Sequence, residues 1–495
     1  MTAADEYVLA ASIPALWERL AAKVAAGHRL ADLFGTARDG GVVLTAVLAG
    51  PDGLSEFDVL VPSGVHQYPA LTPKVGAAFW YEREIHDLFG IVPDGHPRLE
   101  PLVLPVRQGD RPRPGAADGP ARVVPDPGVL PRHAMGPGLF TIPHGPVRSG
   151  VVESIEYLVE TPGEDIPHLN LRLFYKHRGI QKRFEGLTPG DGIILAERAE
   201  GIASVAHAIA YCQAVEQIAG TAVPQPAVLS RVLHAELERL ACHLDVIVRL
   251  ADGCGLAVAT ARFAWHKEQV LRLAGELCGS RFGRGVVVPG GVIALPRLDR
   301  DELLAAIGAL DRYLTADIRL LMGTASFLDR LRRTGPLPPA RAAGHGALGP
   351  IGRASGLAED VRLSRPYAAY PELALAVSAR QDGDALARLE VRIDEIAASV
   401  DVVRQVAARL TGSKDGNARV PCEPCDGRAA GWAEAAQGEV LYQVRVAAGL
   451  ITRCRVRSAS FHNLVLMHEV FAGDILTDFP FIEASFGLSV AGAAG

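Results

Sequence analysis

Cys422 and Cys425 stand three positions apart in PCEPCDG, a spacing at which two thiolates can grip one metal ion. A structural zinc needs four ligands and this pair supplies two, so the segment reads as a loop without metal. The other cysteines, Cys212, Cys242, Cys254, Cys278 and Cys454, are scattered, as the reduced thiols of a large cytosolic enzyme are. In YEREIHD, Arg83 and Asp87 fall at i,i+4 on one expected helix, beside Glu82 and Glu84. Spacing alone makes them a surface ion pair worth tenths of a kcal/mol. His177-Arg178-Gly179 reads as a turn whose glycine relieves backbone strain. No GxGxxG follows a strand and there is no P-loop, so NAD or nucleotide binding by this chain is not expected.

The elements that position these residues belong to a chain of 495 residues, too long for one core, so two or three domains are expected. Charged residues make up 21% and hydrophobic ones 49%, a globular balance far from disorder. A net charge of -6 without a concentrated basic run argues against nucleic acid as a partner. The opening MTAADEYVLAAS carries acids where a secretory signal carries bases. No run of apolar residues is long enough for a transmembrane helix, so the chain is not expected to span a membrane, although it could dock onto membrane proteins.

Along the chain, residues 14–27 show helical spacing of Leu16, Leu20 and Val24, while 41–50 and 57–61 read as strands. A second helix is expected through 75–90, ended by Gly90. Prolines and glycines then recur from Pro105 to Pro146, which reads as an extended linker. VVESIEYLVE (151–160) reads as a strand. The stretches 227–251 and 384–410 carry leucine, isoleucine and valine stripes that predict two long helices packed as a bundle. Residues 438–446 and 451–457 predict a hairpin.

Longer blocks carry a resemblance. FWYEREIHDLFGI followed by HPRLEPLVLP (79–105) resembles the signature of the small peripheral-arm subunit of respiratory complex I, the C type. IPHGPVRSGVVESIEYLVE, LFYKHRGIQKRFEG, ERAEGIASVAHAIAYCQAVEQIAG, RVLHAELERLACHL, SRFGRGVVVPGG, GRASGLAEDVRLSRPYAAY, GDALARLEVRIDEI, SFHNL and GDILTDFPFIEASFG resemble, in order, the neighbouring D type and the large subunits of NiFe hydrogenases. Both halves in one polypeptide resemble the large subunits of energy-converting membrane-bound hydrogenases of the formate hydrogenlyase and hydrogenase-4 type, and complex I proteins in which the C and D types are fused. The implied fold is α+β and multidomain. It comprises a C-type α/β domain (1–105), a Pro/Gly-rich linker (106–140) and a mostly helical D-type, hydrogenase large subunit-like domain with small β-sheets (141–495). The resemblance also makes YEREIHD a docking face towards partner subunits and places HRG near an iron-sulfur subunit.

A NiFe site takes four thiolates from two CxxC pairs, because soft sulfur suits nickel. The first family frame resembles ERxCGICxxxH; here it reads ERAEGIASVAH, with Glu200 and Ala203 at the cysteine positions. The second follows a DxPxIxxSxDP-like run; here DFPFIEASFGLSVAG puts Ser489 and Gly492 there, and the sequence stops at Gly495 without a maturation tail or terminal histidine. The resemblance thus implies no nickel and no hydrogen splitting by this chain. The complex I relative holds a quinone headgroup with a histidine and a tyrosine, but Arg148 and Gly201 stand at those positions. His144, four residues before Arg148, is a candidate substitute.

Glu153 matches a glutamate that hydrogenase relatives use for proton transfer, and Glu200 enters the same implied cavity. Arg148, His207, Arg353, Asp360 and Arg362 are implied to lie around it. These groups form either a charged relay or a refilled cavity held by an ion pair such as Arg148 with Glu200. The expected role is a core subunit of a complex I-like, hydrogenase-related oxidoreductase assembly that couples electron transfer to ion translocation. It would lie in the cytoplasm, peripheral on the inner face of the cell membrane. Expected partners are an iron-sulfur small subunit, a ferredoxin-like subunit and antiporter-like membrane subunits. Iron-sulfur clusters would reside in those partners, with no cofactor or metal in this chain. The alternatives are a quinone-reducing module with altered anchors and a non-catalytic structural subunit.

Overall fold

The computed structural model describes residues 8–9, 13–105, 138–149, 152–410 and 418–495. Residues 106–137, most of the expected linker, lie outside the described residues.

The expected N-terminal helix forms over Ile13–Ala25 and buries Ile13, Trp17 and Leu20. Gly41–Gly50 and Gly53–Pro62 form an antiparallel pair, and Val8–Leu9 adds to the latter in parallel. Arg29–Arg38, unread in the sequence, completes the four-stranded sheet on the other side. Its run Leu30–Phe34 is buried on both faces and a register shift falls between Leu30 and Asp32, so no polar-apolar alternation marks it. The second helix covers Phe79–Phe89 after a 3-10 turn at Gly76–Ala78, and Gly90 ends it at φ 70°.

The YEREIHD block is neither a surface ion pair nor an exposed face. Glu82, Arg83, Glu84 and Asp87 are buried inside this chain rather than presented as a docking face. Glu82 accepts from the amides of Leu71 and Thr72, and Arg83 donates to the carbonyls of Glu100 and Pro101. Asp87 accepts from the amides of Leu102 and Val103, while Glu84 pairs with Arg455 at 2.8 Å. The helix therefore spends its charges tying down its own loops and the second half of the chain.

That second half starts with the antiparallel strands Phe140–His144, Glu156–Thr161 and His168–Arg172. The striped segments form the helices Gln225–Gly253 and Ala385–Arg409, which pack on one another beside Ala257–Cys278 and Arg300–Met322. The expected hairpin is Gly438–Ala447 with Leu450–Arg457, turning through Ala448 and Gly449 at φ 50° and 75°. A third strand, Gly427–Ala435, escaped the sequence reading because alanine and glycine fill it. Those small residues let it lie tight on the helix Ser204–Ala219: a Cβ on Gly431 would fall 2.0 Å from the Ala210 carbonyl oxygen.

The two halves share one apolar cluster, in which Trp80 and Tyr81 pack edge-on to Phe461. Polar contacts cross the same junction. Arg455 reaches Asp32 at 2.8 Å, and Tyr81 Oη lies 2.8 Å from His462 Nδ1.

Candidate functional site

The segment 197–207 bridges two helices. Pro189–Ala199 ends before Glu200, which is extended at φ -138°, and Ser204–Ala219 begins after Ala203. The break turns the fully buried Glu200 side chain inward. Its Oε1 accepts from Ser460 Oγ at 2.6 Å, and its Oε2 lies 3.2 Å from His207 Nε2. His207 Nδ1 is 2.9 Å from Tyr442 Oη. A neutral imidazole that donates from Nε2 and accepts the tyrosine proton at Nδ1 satisfies every member of this row.

The C-terminal segment closes over the carboxylate. Ser489 begins the short helix Val490–Ala494, and its hydroxyl lies 3.0 Å from Glu153 Oε2. Glu153 also accepts from the amides of Val490 and Ala491. Ser489 N donates to Ser460 Oγ at 3.0 Å, so Ser460 touches both groups. Arg178 clamps the two segments together. Its guanidinium donates to the Ala199 carbonyl at 2.6 Å and to the Ala491 carbonyl at 2.9 Å. Gly179, at φ 63°, lets the chain turn directly after it.

Glu153 and Glu200 therefore lie close together, linked through Ser460 and Ser489, with His207 beside Glu200. The other candidates lie in separate groups. Arg148 does not pair with Glu200; it pairs with Glu483 at 2.9 Å and covers the Tyr157 ring at 5.2 Å. Tyr157 donates to the same carboxylate at 2.7 Å, so Glu483 outcompetes the expected partner. His144 packs against Tyr157 and Phe479 there, and burial together with the Arg148 charge lowers its pKa. Asp360 and Arg362 sit in a third, fully buried group, Asp360 with Arg362 at 2.7 Å and Arg353 at 3.3 Å. Arg362 continues to Glu236, which Ser399 and Tyr370 also bond. Among the described residues no hydrogen bond or ion pair joins the three groups. Ser460, Tyr442 and Arg178 were missed as site residues, although SFHNL, the hairpin and HRG had each marked the segments that carry them.

Glu200, Ser489 and Gly492, three of the four positions at which the resemblance implies nickel thiolates, lie together, and the four residues do not suit a NiFe centre. A Cβ on Gly492 would lie 2.6 Å from Glu200 Cδ. Ala203 and Gly492 offer no donor, and the Ser489 hydroxyl and Glu200 carboxylate are hard oxygens already engaged with neighbours. Among the described residues no group of three or more His, Cys, Asp and Glu is placed to hold a metal ion. Cys425 is exposed and Cys422 half-buried.

On the far side of the same break lies a cavity of about 120 Å3, lined by Gly201, Ile202, Leu237, Glu238 and Cys242 among others. Glu238 accepts from the amides of Val205 and Ala206. Burial pushes its carboxyl up to about 8, with a push from Glu200, against the pull of those amides and Arg239.

Comparison with known proteins agrees with this layout. Residues 7–113 match the family described as "Respiratory-chain NADH dehydrogenase, 30 Kd subunit", and residues 255–423 match "Respiratory-chain NADH dehydrogenase, 49 Kd subunit". Formate hydrogenlyase subunit 5 of Escherichia coli is 29% identical over 440 residues, 86% of this chain and 77% of the relative. A subunit of NADH-quinone oxidoreductase from Anaeromyxobacter sp. is 30% identical, covering 68% of this chain and 90% of the relative. A protein in the structure of the membrane-bound sulfane sulfur reductase, an archaeal respiratory membrane complex, superposes with a TM-score of 0.68 at 25% identity, over 73% of this chain and all (100%) of that one. With the 30 Kd and 49 Kd types joined in one polypeptide, this chain belongs to the family of complex I core subunits and their membrane-bound hydrogenase relatives.

Proposed function

We propose that this chain is the core subunit of a membrane-associated, complex I-like oxidoreductase assembly that couples electron transfer to ion translocation and has no NiFe centre. The observation that carries the reading is the place of Glu200: buried, bonded to Ser460 and His207, and pressed against Gly492, two positions at which the resemblance implies cysteines. The division into 1–105, 106–140 and 141–495 is part of the proposal, as is a position on the inner face of the cell membrane. Among the described residues no helix is long and apolar enough to cross a membrane. Partner subunits would therefore supply the membrane arm and the iron-sulfur clusters.

Within this role, Glu153 and Glu200 hold and pass protons. Tyr442, His207, Glu200 and Ser460 form one row of exchangeable protons, and Glu153 with Ser489 forms a second. The rows meet at the backbone amide of Ser489, which does not hand protons on, so transfer between them requires the two serine hydroxyls to approach each other. Asp360 and Arg362 serve as a rigid frame, while Arg148 and His144 hold the end of the strand Phe140–His144 against Glu483 and Phe479 of the helix Phe479–Phe486. The test is affinity purification from detergent-solubilised membranes, with the co-purifying subunits identified and nickel measured. Iron-sulfur and antiporter-like subunits in stable ratio without nickel support the reading. Stoichiometric nickel, or a chain recovered alone from the soluble fraction, overturns it.

The cavity beside Gly201 favours a second reading, quinone reduction with altered anchors. Quinone-dependent electron transfer that collapses on filling the cavity, by Leu237→Trp, would support it. Unchanged transfer in that variant would remove it.

A further inference from the structure

A second cavity, of about 720 Å3, opens at the junction of the two halves, between the N-terminal sheet and residues 343–347, 356–359 and 364–365. Its wall carries Arg29 and Arg365, one from each half. Both guanidiniums pair through Nη2 with the buried carboxylate of Glu439, which also receives Arg457. Burial raises the Glu439 pKa and the three guanidiniums outweigh it, holding the carboxyl far below its usual range. Three cations thus face one acid. Glu359 adds a second acid on the cavity wall, where it accepts from Ser364. His345 cannot add charge near neutrality, since burial lowers its pKa to about 4.

The positive excess coincides with unmet hydrogen bonding. Arg457 spends its remaining donors on the carbonyls of Ala31 and Glu439. Arg29 and Arg365 do not: the Nη1 of each is buried and has no hydrogen-bond partner among the described residues. Arg365 is only 7% exposed. A buried, unpartnered donor on a cation is costly, and a turn of either guanidinium towards the cavity would give an oxyanion both the charge and the donor. The rest of the wall is largely apolar, with Val24, Leu30, Val75 and Leu357. We infer that this junction cavity binds a small organic oxyanion, a phosphate ester or a carboxylate, with its head between Arg29 and Arg365 and its apolar body against the N-terminal sheet. Because the two arginines come from different halves, the ligand strengthens the junction.

The test is calorimetric titration of the full chain with phenyl phosphate, benzoate and benzylamine. These share a ring and differ in the head. Binding of one or both anions, and not of benzylamine, is expected; the preferred anion identifies the head as phosphate or carboxylate. Arg365→Gln should weaken binding tenfold or more. Because that residue also stacks on Trp432 and its loss could disturb folding, Gly344→Glu is the second variant. A Cβ at Gly344 meets nothing within 4 Å, so the substitution adds a negative charge at the cavity wall with all arginines intact. It should also cost tenfold or more. Equal binding of benzylamine, no anion binding at millimolar concentration, or unchanged affinity in Gly344→Glu overturns the inference.

Discussion

The carboxylate of Glu200 occupies the space that a side chain on Gly492 would need: a Cβ at Gly492 would lie 2.6 Å from Glu200 Cδ. The resemblance to NiFe hydrogenase large subunits implies that these residues stand at the first position of one cysteine pair and the last of the other. The two are matched in size, a large side chain filling the space that a glycine leaves open.

Gly492→Ala should destabilise the protein by about 1–3 kcal/mol through overpacking. Combining it with Glu200→Ala should cost less than the sum of the single changes, because removing the carboxylate vacates the space. Urea unfolding of the four proteins measures the coupling. Strict additivity would show that the two residues do not compete for space.

Glu153→Ala strips acceptors from the Ser489 hydroxyl and the amides of Val490 and Ala491. The expected cost is about 1–3 kcal/mol. Hydrogen exchange should quicken at Val490 and Ala491 and stay unchanged in the helix Gln225–Gly253. Uniform loss of protection would contradict a local role.

Arg455 is buried between Asp32 and Glu84, at 2.8 Å from each. Arg455→Met leaves two carboxylates facing each other without a cation, and should cost about 3–5 kcal/mol. The loss should fall on the junction, so limited proteolysis is expected to separate the halves sooner than in the native chain. An unchanged cleavage pattern would place the stabilisation elsewhere.

Glu238 gives a pH signature. Its folded pKa of about 8 lies above the unfolded value, so the folded state holds the extra proton between them. This contribution is fully present below the unfolded carboxylate pKa and is lost as pH rises through about 8. Glu238→Gln, which mimics the neutral carboxyl, should flatten the fall in stability across that window. A slope identical to the native protein's, by denaturant titration at several pH values, would show that Glu238 is ionised in the fold.

The sequence was most legible where one face of an element repeats. The stripes of 227–251 and 384–410 and the alternation near 438–457 yield the bundle and hairpin because periodicity survives when only one face is buried. It failed at Arg29–Arg38, buried through its centre, and at Gly427–Ala435, where close packing had selected alanine and glycine. For the site, ordered motif blocks brought Glu153, Glu200 and His207 to attention. They could not rank partners: Arg148 had an acid to pair with, and nothing in the linear order favoured Glu483 over Glu200.

The sequence by itself determined the family layout and the elements whose periodicity is one-sided. Tertiary structure decided which charges meet. It turned the YEREIHD acids inward, set Arg455 between Asp32 and Glu84, and left two arginines around Glu439 with donors to spare. The physical reason is that hydrophobic periodicity is a local property of the backbone, whereas ion pairing depends on distances between residues hundreds of positions apart, which only the packed core fixes.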